Sequence, residues 1–227
     1  MLISKRNKFI FVHIDKNGGT SIRNSLNKYH DRKKFFLVSN KIDKIFRVKI
    51  FNVNFLFGRY ILNFLNKFLK IENNFLSYHH QLKLLNKNQT KEYYKFCVIR
   101  NPIDRFYSLY YHNLSHKHSS GFFFAKKGIS KFLNEFVIKK KIYSQTDYIS
   151  DKGEILVDDF ILFDRLNKDY QRITKKIIKK KINLNHLNKK RINNKQKLNK
   201  KDLQKLKRYF KEDFKIYKLL MNKKNVI

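Results

Sequence analysis

Two short segments concentrate residue types that handle anions. The first, Asp15-Lys-Asn-Gly-Gly-Thr-Ser21, sets a lysine beside adjacent glycines and two hydroxyls. Adjacent glycines permit positive φ and let backbone N–H groups come close to a ligand. A helix starting there adds uncommitted N–H donors and partial positive charge. Lys16, Asn17, Gly18, Gly19, Thr20 and Ser21 therefore read as a cradle for a phosphate; the bland alternative is a glycine turn capped by Thr20. The Gly-x4-Gly-Lys-[Ser/Thr] spacing of a Walker loop is absent. The second segment, Arg100-Asn-Pro-Ile-Asp-Arg-Phe-Tyr-Ser-Leu-Tyr110, contains the only proline of the chain. Asn101 suits an N-cap, Pro102 the first helical position and Asp104 the first turn. At helical spacing Ile103, Phe106, Tyr107 and Tyr110 share one face, and Asn101, Asp104, Arg105, Ser108 and His112 the opposite one. Arg100, ending a strand, and Ser108, two turns along the polar face, can converge on one anion, with the guanidinium offering a bidentate fork.

Both segments need a strand before them and a helix after them. Residues 8–13, Lys-Phe-Ile-Phe-Val-His, form a short β-rich apolar run, and Ile22, Leu26 and Tyr29 follow the glycines at helical spacing. Residues 94–99 are a second buried-strand candidate ahead of Arg100. Further along, 35–38 and 159–163 read as strands, 59–69, 129–138 and 165–178 as helices, and 76–85 is ambiguous. Leu203, Leu206, Phe210, Phe214 and Tyr217 mark one long amphipathic helix at the C-terminal side. Alternating strands and helices predict an α/β fold with a central, mainly parallel sheet flanked by helices. Ligands of such sheets sit beyond the carboxyl ends of the strands, where both loops lie.

The 227 residues are expected to make a single domain, 1–227, and 42% hydrophobic residues are ample for a core. Cys97 is the only cysteine and no Cys/His cluster has ligand spacing, so disulfide stapling and structural zinc are set aside. Lys+Arg 53 against Asp+Glu 17 gives a formal charge of +36, a field that attracts polyanions, lipid headgroups or phosphorylated ligands. A basic tract, 175–201, is read mainly as solvated surface, with Lys189, Lys190 and Arg191 as candidates for contact with a phosphate or an acidic glycan. The apolar run 9–14 is too short for a secretory leader, and Arg47, Lys49, Arg59 and Lys67 interrupt 45–69 before it becomes an uncharged span. A cytoplasmic location is expected, with contact to a membrane surface left open through 45–69 as an interfacial helix.

The two loops together resemble a known family. Val12-His-Ile-Asp-Lys-Asn-Gly-Gly-Thr-Ser21 is similar to the 5′-phosphosulfate loop of sulfotransferases, H-I-P-K-T-G/A-G-T-S, and 100–110 to their 3′-phosphate element, R-N-P-x-D-R-x-x-S-x-Y. Weaker echoes are Gln145 near Tyr148, Phe163-Asp-Arg-Leu166, and Asp213-Phe214 before Tyr217. The likeness is greatest to the carbohydrate branch that includes the uronyl 2-O-sulfotransferases and bacterial relatives. Asp15 stands where the family usually has proline, and Asn17 where it usually has threonine.

The resemblance implies a P-loop-like three-layer domain. It also implies transfer of a sulfuryl group from 3′-phosphoadenosine 5′-phosphosulfate (PAPS) to a hydroxyl, with 3′-phosphoadenosine 5′-phosphate (PAP) as product and no metal. By matching positions Lys16 stabilises the departing phosphate, residues 16–21 hold the 5′-phosphate, and Arg100 and Ser108 the 3′-phosphate. Ser77-Tyr-His-His-Gln81 occupies the region of the family's basic histidine, making His80, then His79, the catalytic base. His112, His116 and His118 are candidates for the acceptor cleft. The implied partner is a carbohydrate or glycolipid acceptor, with no specific nucleic acid. Two other readings compete: a basic nucleic-acid-binding protein, motivated by charge, and a P-loop-like small-molecule kinase, which the absent Walker spacing opposes.

Overall fold

The structure is a computed structural model describing residues 1–30, 82, 90–184 and 196–222. The expected strand at 35–38, the helix at 59–69, most of 76–85, and His79, His80, Lys189, Lys190 and Arg191 lie outside the described residues.

Among the described residues the main sheet has the order β1-β2-β3-β6, built from Leu2–Ser4, Phe9–Val12, Tyr94–Ile99 and Asp159–Leu162. β2 pairs parallel with β3 and β3 parallel with β6. β1 pairs antiparallel with β2 through a tight hairpin, so the sheet is mixed. That edge strand is hidden in the sequence because the basic residues Lys5, Arg6 and Lys8 around the turn mask the apolar Leu2 and Ile3. A small hairpin, β4 (Ser150–Asp151) with β5 (Glu154–Ile155), stands apart.

Successive strand residues are buried on opposite faces, which is why these strands read as unbroken apolar runs. Phe9, Phe11, Phe96, Val98 and Ile161 pack against Ile22 and Leu26 of α1 (Gly19–Leu26). On the same face they meet Leu166, Tyr170 and Ile173 of α6 (Leu166–Ile178). Ile10, Val12, Cys97 and Ile99 face the other way. They meet Tyr148 and Ile149 of α5 (Gln145–Ile149) and Ile216 and Leu220 of α8 (Lys211–Asn222). Burying each such side chain contributes about 1.5–3 kcal/mol. The result is an α/β architecture with helices on both faces of a central sheet.

A third core gathers Phe106 and Tyr110 of α2 (Pro102–Ser115) with α3 (Phe122–Lys126), α4 (Ile129–Lys131) and α7 (Lys200–Tyr209). The expected helix 129–138 is helical throughout, but Phe132–Ile138 winds as a π-helix. The single C-terminal helix is in fact two, α7 and α8, separated at Phe210, which is buried with Leu206. Among the described residues no helix is long and apolar enough to cross a membrane.

Candidate anion-binding cleft

The carboxyl ends of β2, β3 and β6 open onto one cleft of about 880 Å3. Lys16, Gly18, Gly19, Thr20 and Ser21 line it from the first loop, and Arg100 and Ser108 from the second. The two loops, whose Lys16 and Arg100 are 84 residues apart in sequence, therefore meet at one place because β2 and β3 are adjacent parallel strands.

The first loop is shaped by its glycines. Gly18, with φ 75, caps α1 in the left-handed region, and no side chain caps the helix start. Thr20 is exposed and does not cap it, so the first N–H groups of α1 are left without an intrahelical or side-chain partner. A Cβ on Gly18 would lie 2.8 Å from Phe163 Cε2, and one on Gly19 2.7 Å from His13 Cδ2. Glycine is required at both positions for close packing, and at Gly18 for the backbone too. Lys16 itself adopts φ 68, an uncommon conformation for a side-chain-bearing residue. Its carbonyl is held by Arg100 Nη1 at 2.9 Å. Burial lowers the pKa of its ammonium, which Asp15 opposes and Arg100 reinforces.

Asn17 corrects the expectation that it contacts the ligand. Its side chain is fully buried behind the loop, donating through Nδ2 to Val98 O and Gln145 Oε1, both at 2.6 Å. Its backbone N–H is turned to Ile14 O. The residue holds the cradle to the sheet and does not line the cleft.

At the second junction the predicted cap forms: Asn101 Oδ1 accepts from Ile103 N at 2.9 Å, with Pro102 at the first helical position. Arg100 lies over the Phe163 ring at 4.2 Å, and its Nε is buried without a hydrogen-bond partner. A buried, unpaired guanidinium donor is costly, while the residue as a whole lines the cleft.

Arg105, which helical spacing sets on the polar face of α2, is nevertheless buried. It is 5% exposed, donating from Nε to Asp15 O and from Nη2 to Tyr143 O, with Nη1 3.9 Å from Asp213. The cause is tertiary: α8 brings the buried Asp213 carboxylate to this side of α2, and Tyr143 and Asp15 complete the cage.

Gln145 is the hub. Its Oε1 accepts from Asn17 Nδ2 and from Arg100 N, and its Nε2 donates to Arg100 O. Its own N–H donates to Asp213, which also accepts from Thr146 N and so caps the start of α5. One buried amide thus ties the two anion loops together and to the C-terminal helix. Phe163, Asp213 and Tyr217 belong to the same frame, Tyr217 donating to Asp164 at 3.0 Å. The weak echoes at Gln145, Phe163 and Asp213 were the sequence signal for it.

Asp15 is exposed in the cleft, and its carboxylate accepts from Tyr148 OH at 3.1 Å. His13 backs Gly19 and stacks on Phe11; burial lowers its pKa and favours the neutral ring.

The sequence profile of the Sulfotransferase family matches residues 1–154, which contain both loops, Gln145 and Tyr148. The chain belongs to the sulfotransferase family. Membership supports a sulfotransfer reaction. No curated protein and no solved structure matches the chain. The matched region ends before Phe163 and Asp213, the residues that back Arg100 and brace Gln145.

Proposed function

We propose that this sulfotransferase-family protein transfers a sulfuryl group from PAPS to a hydroxyl of a carbohydrate or glycolipid acceptor. The observation that supports the reading most is the convergence of an uncapped helix start, Lys16, Ser108 and Arg100 in one cleft. These groups fit a ligand with two separated anionic ends. Backbone N–H groups at 18–21 would receive the 5′-phosphate in a P-loop-like manner, and Arg100 with Ser108 the 3′-phosphate.

The donor supplies an activated sulfuryl group; the protein supplies placement and charge. Lys16, at the mouth of the cradle, stabilises negative charge on the leaving phosphate. The Arg100–Phe163 stack and the Gln145 hub keep the two phosphate grips at a constant separation. On the acceptor side, Phe136 and Tyr143 offer apolar faces beside the hydroxyls of Ser119 and Ser120, a lining suited to a sugar ring. Resemblance alone would put the base at His80 or His79, which lie outside the described residues.

Calorimetry with PAP tests the donor reading. The wild type binds, and Lys16→Ala and Arg100→Ala each weaken binding by about 10- to 100-fold, as expected for a charge-assisted contact. A wild type that does not bind, or two variants that bind unchanged, removes the assignment.

A further inference from the structure

Beyond the donor grips, α2 continues along the cleft. His112 lies one turn past Ser108, about 6 Å further along the axis and on nearly the same face, and it lines the cleft with Asp15. Among the described residues neither nitrogen of its ring has a hydrogen-bond partner. Its ring packs on His116, centroids 4.1 Å apart, while His116 Nδ1 is tied to the His112 carbonyl at 2.8 Å. The imidazole is therefore held in place yet keeps both nitrogens available.

We propose that His112 takes the proton from the attacking hydroxyl, with the Asp15 carboxylate on the first loop stabilising the imidazolium that forms. This rests on the reading of the cleft as a PAPS-dependent transfer site. In the step, the acceptor oxygen forms its bond to sulfur as the bond between sulfur and the bridging phosphate oxygen breaks. The electron pair leaves with PAP beside Lys16, and the hydroxyl proton passes to a ring nitrogen of His112, which later releases it to solvent. Asp15 is suited to its part because Tyr148 occupies one carboxylate oxygen, Oδ2, and orients the other.

The groups around His112 set its protonation. Lys16 and Asp15 face it from the first loop, with His13 behind them; His116 lies on its own helix. His118 follows in the next turn, Tyr143 and Tyr148 stand on the far wall, and Arg105 is engaged with Asp15, Tyr143 and Asp213. Burial, then Lys16 and His116, lower its pKa, and Asp15 raises it. The ring is thus neutral, and able to accept a proton, at neutral pH.

The test uses the full chain and water as the acceptor: cleavage of PAPS to PAP and sulfate, followed against pH, with PAP affinity measured in parallel. His112→Gln should bind PAP within about twofold of wild type and cleave about 100-fold more slowly. It should also lose the limb of the profile in which rate rises with pH. Asp15→Asn should shift that limb to lower pH, because the charge that raises the His112 pKa is gone. His112→Gln cleaving at the wild-type rate or retaining the limb overturns the proposal, as does a limb that only His80→Gln removes. Wild type binding no PAP overturns the donor reading and this one together, whereas normal PAP binding with an unchanged His112→Gln profile overturns this one alone. Histidine ring resonances give a reading that needs no turnover. The His112 titration midpoint falls in Asp15→Asn, and an unmoved midpoint sinks the pairing.

Discussion

Replacing Gln145 by alanine removes the bonds that hold the two anion loops at a constant separation. Three contacts of its side chain disappear, to Asn17 Nδ2, Arg100 N and Arg100 O. Asn17 Nδ2 keeps Val98 O, but both backbone groups of Arg100 lose a partner. Gln145 is 0% exposed, so the gap is not simply opened to bulk water. Two backbone groups orphaned at about 1–3 kcal/mol each put the loss at about 2–6 kcal/mol, a large part of the 5–15 kcal/mol available to an ordinary domain. Asn17→Ala should cost less, because it also removes the unpaired Asn17 Oδ1. Urea denaturation gives the stabilities, and the double variant should be less destabilised than the sum of the singles, since they share a bond. PAP calorimetry on the folded fraction should show affinity falling with Gln145→Ala as Arg100 loses its backbone anchor. A loss under about 1 kcal/mol with unchanged PAP affinity would refute the hub, because no buried network of this kind would then be joining the loops.

Gly18→Ala forces a side chain into the left-handed region and against Phe163. About 1–2 kcal/mol of backbone strain and 1–3 kcal/mol of overpacking predict a drop of several degrees or more in Tm and weaker PAP binding, readable by thermal melts and calorimetry. Acidification should destabilise the protein through His13. Its folded-state pKa is lowered, chiefly by burial, so the neutral ring's contribution is fully present above the unfolded value near 6.5 and is lost progressively as pH falls from there through the lower folded value. Chemical denaturation at pH 7.5 and 5.5 should show a smaller pH dependence in His13→Gln than in wild type; equal slopes would argue against a buried neutral ring.

The site was legible where its chemistry is local. An asparagine followed by proline specifies a helix start from the two residues themselves, and the cap at Asn101 formed as expected. Paired glycines after an apolar run specify a tight strand-to-helix turn in the same way. Reading failed where a distant segment decided the environment. Arg105 has the spacing of a polar-face position that nothing local would bury, yet Asp213, more than 100 residues away, pairs with it inside the protein. Asn17 sits among cleft-lining residues, yet the Val98 carbonyl and Gln145 claim its amide. The break between α7 and α8 is invisible to periodicity because Phe210 satisfies the apolar pattern on either side of it.

The sequence by itself determined the parallel strands β2, β3 and β6, the two loops and the residue types they carry, because backbone preference and apolar patterning act over a few neighbours. Which groups face the cleft was decided only by the tertiary structure. Parallel pairing of β2 with β3 put Lys16 and Arg100 at one cleft, and a buried amide contributed by a third segment set their separation. Those are long-range pairings of hydrogen-bonding groups, and a buried donor or acceptor is satisfied by whatever the fold brings to it.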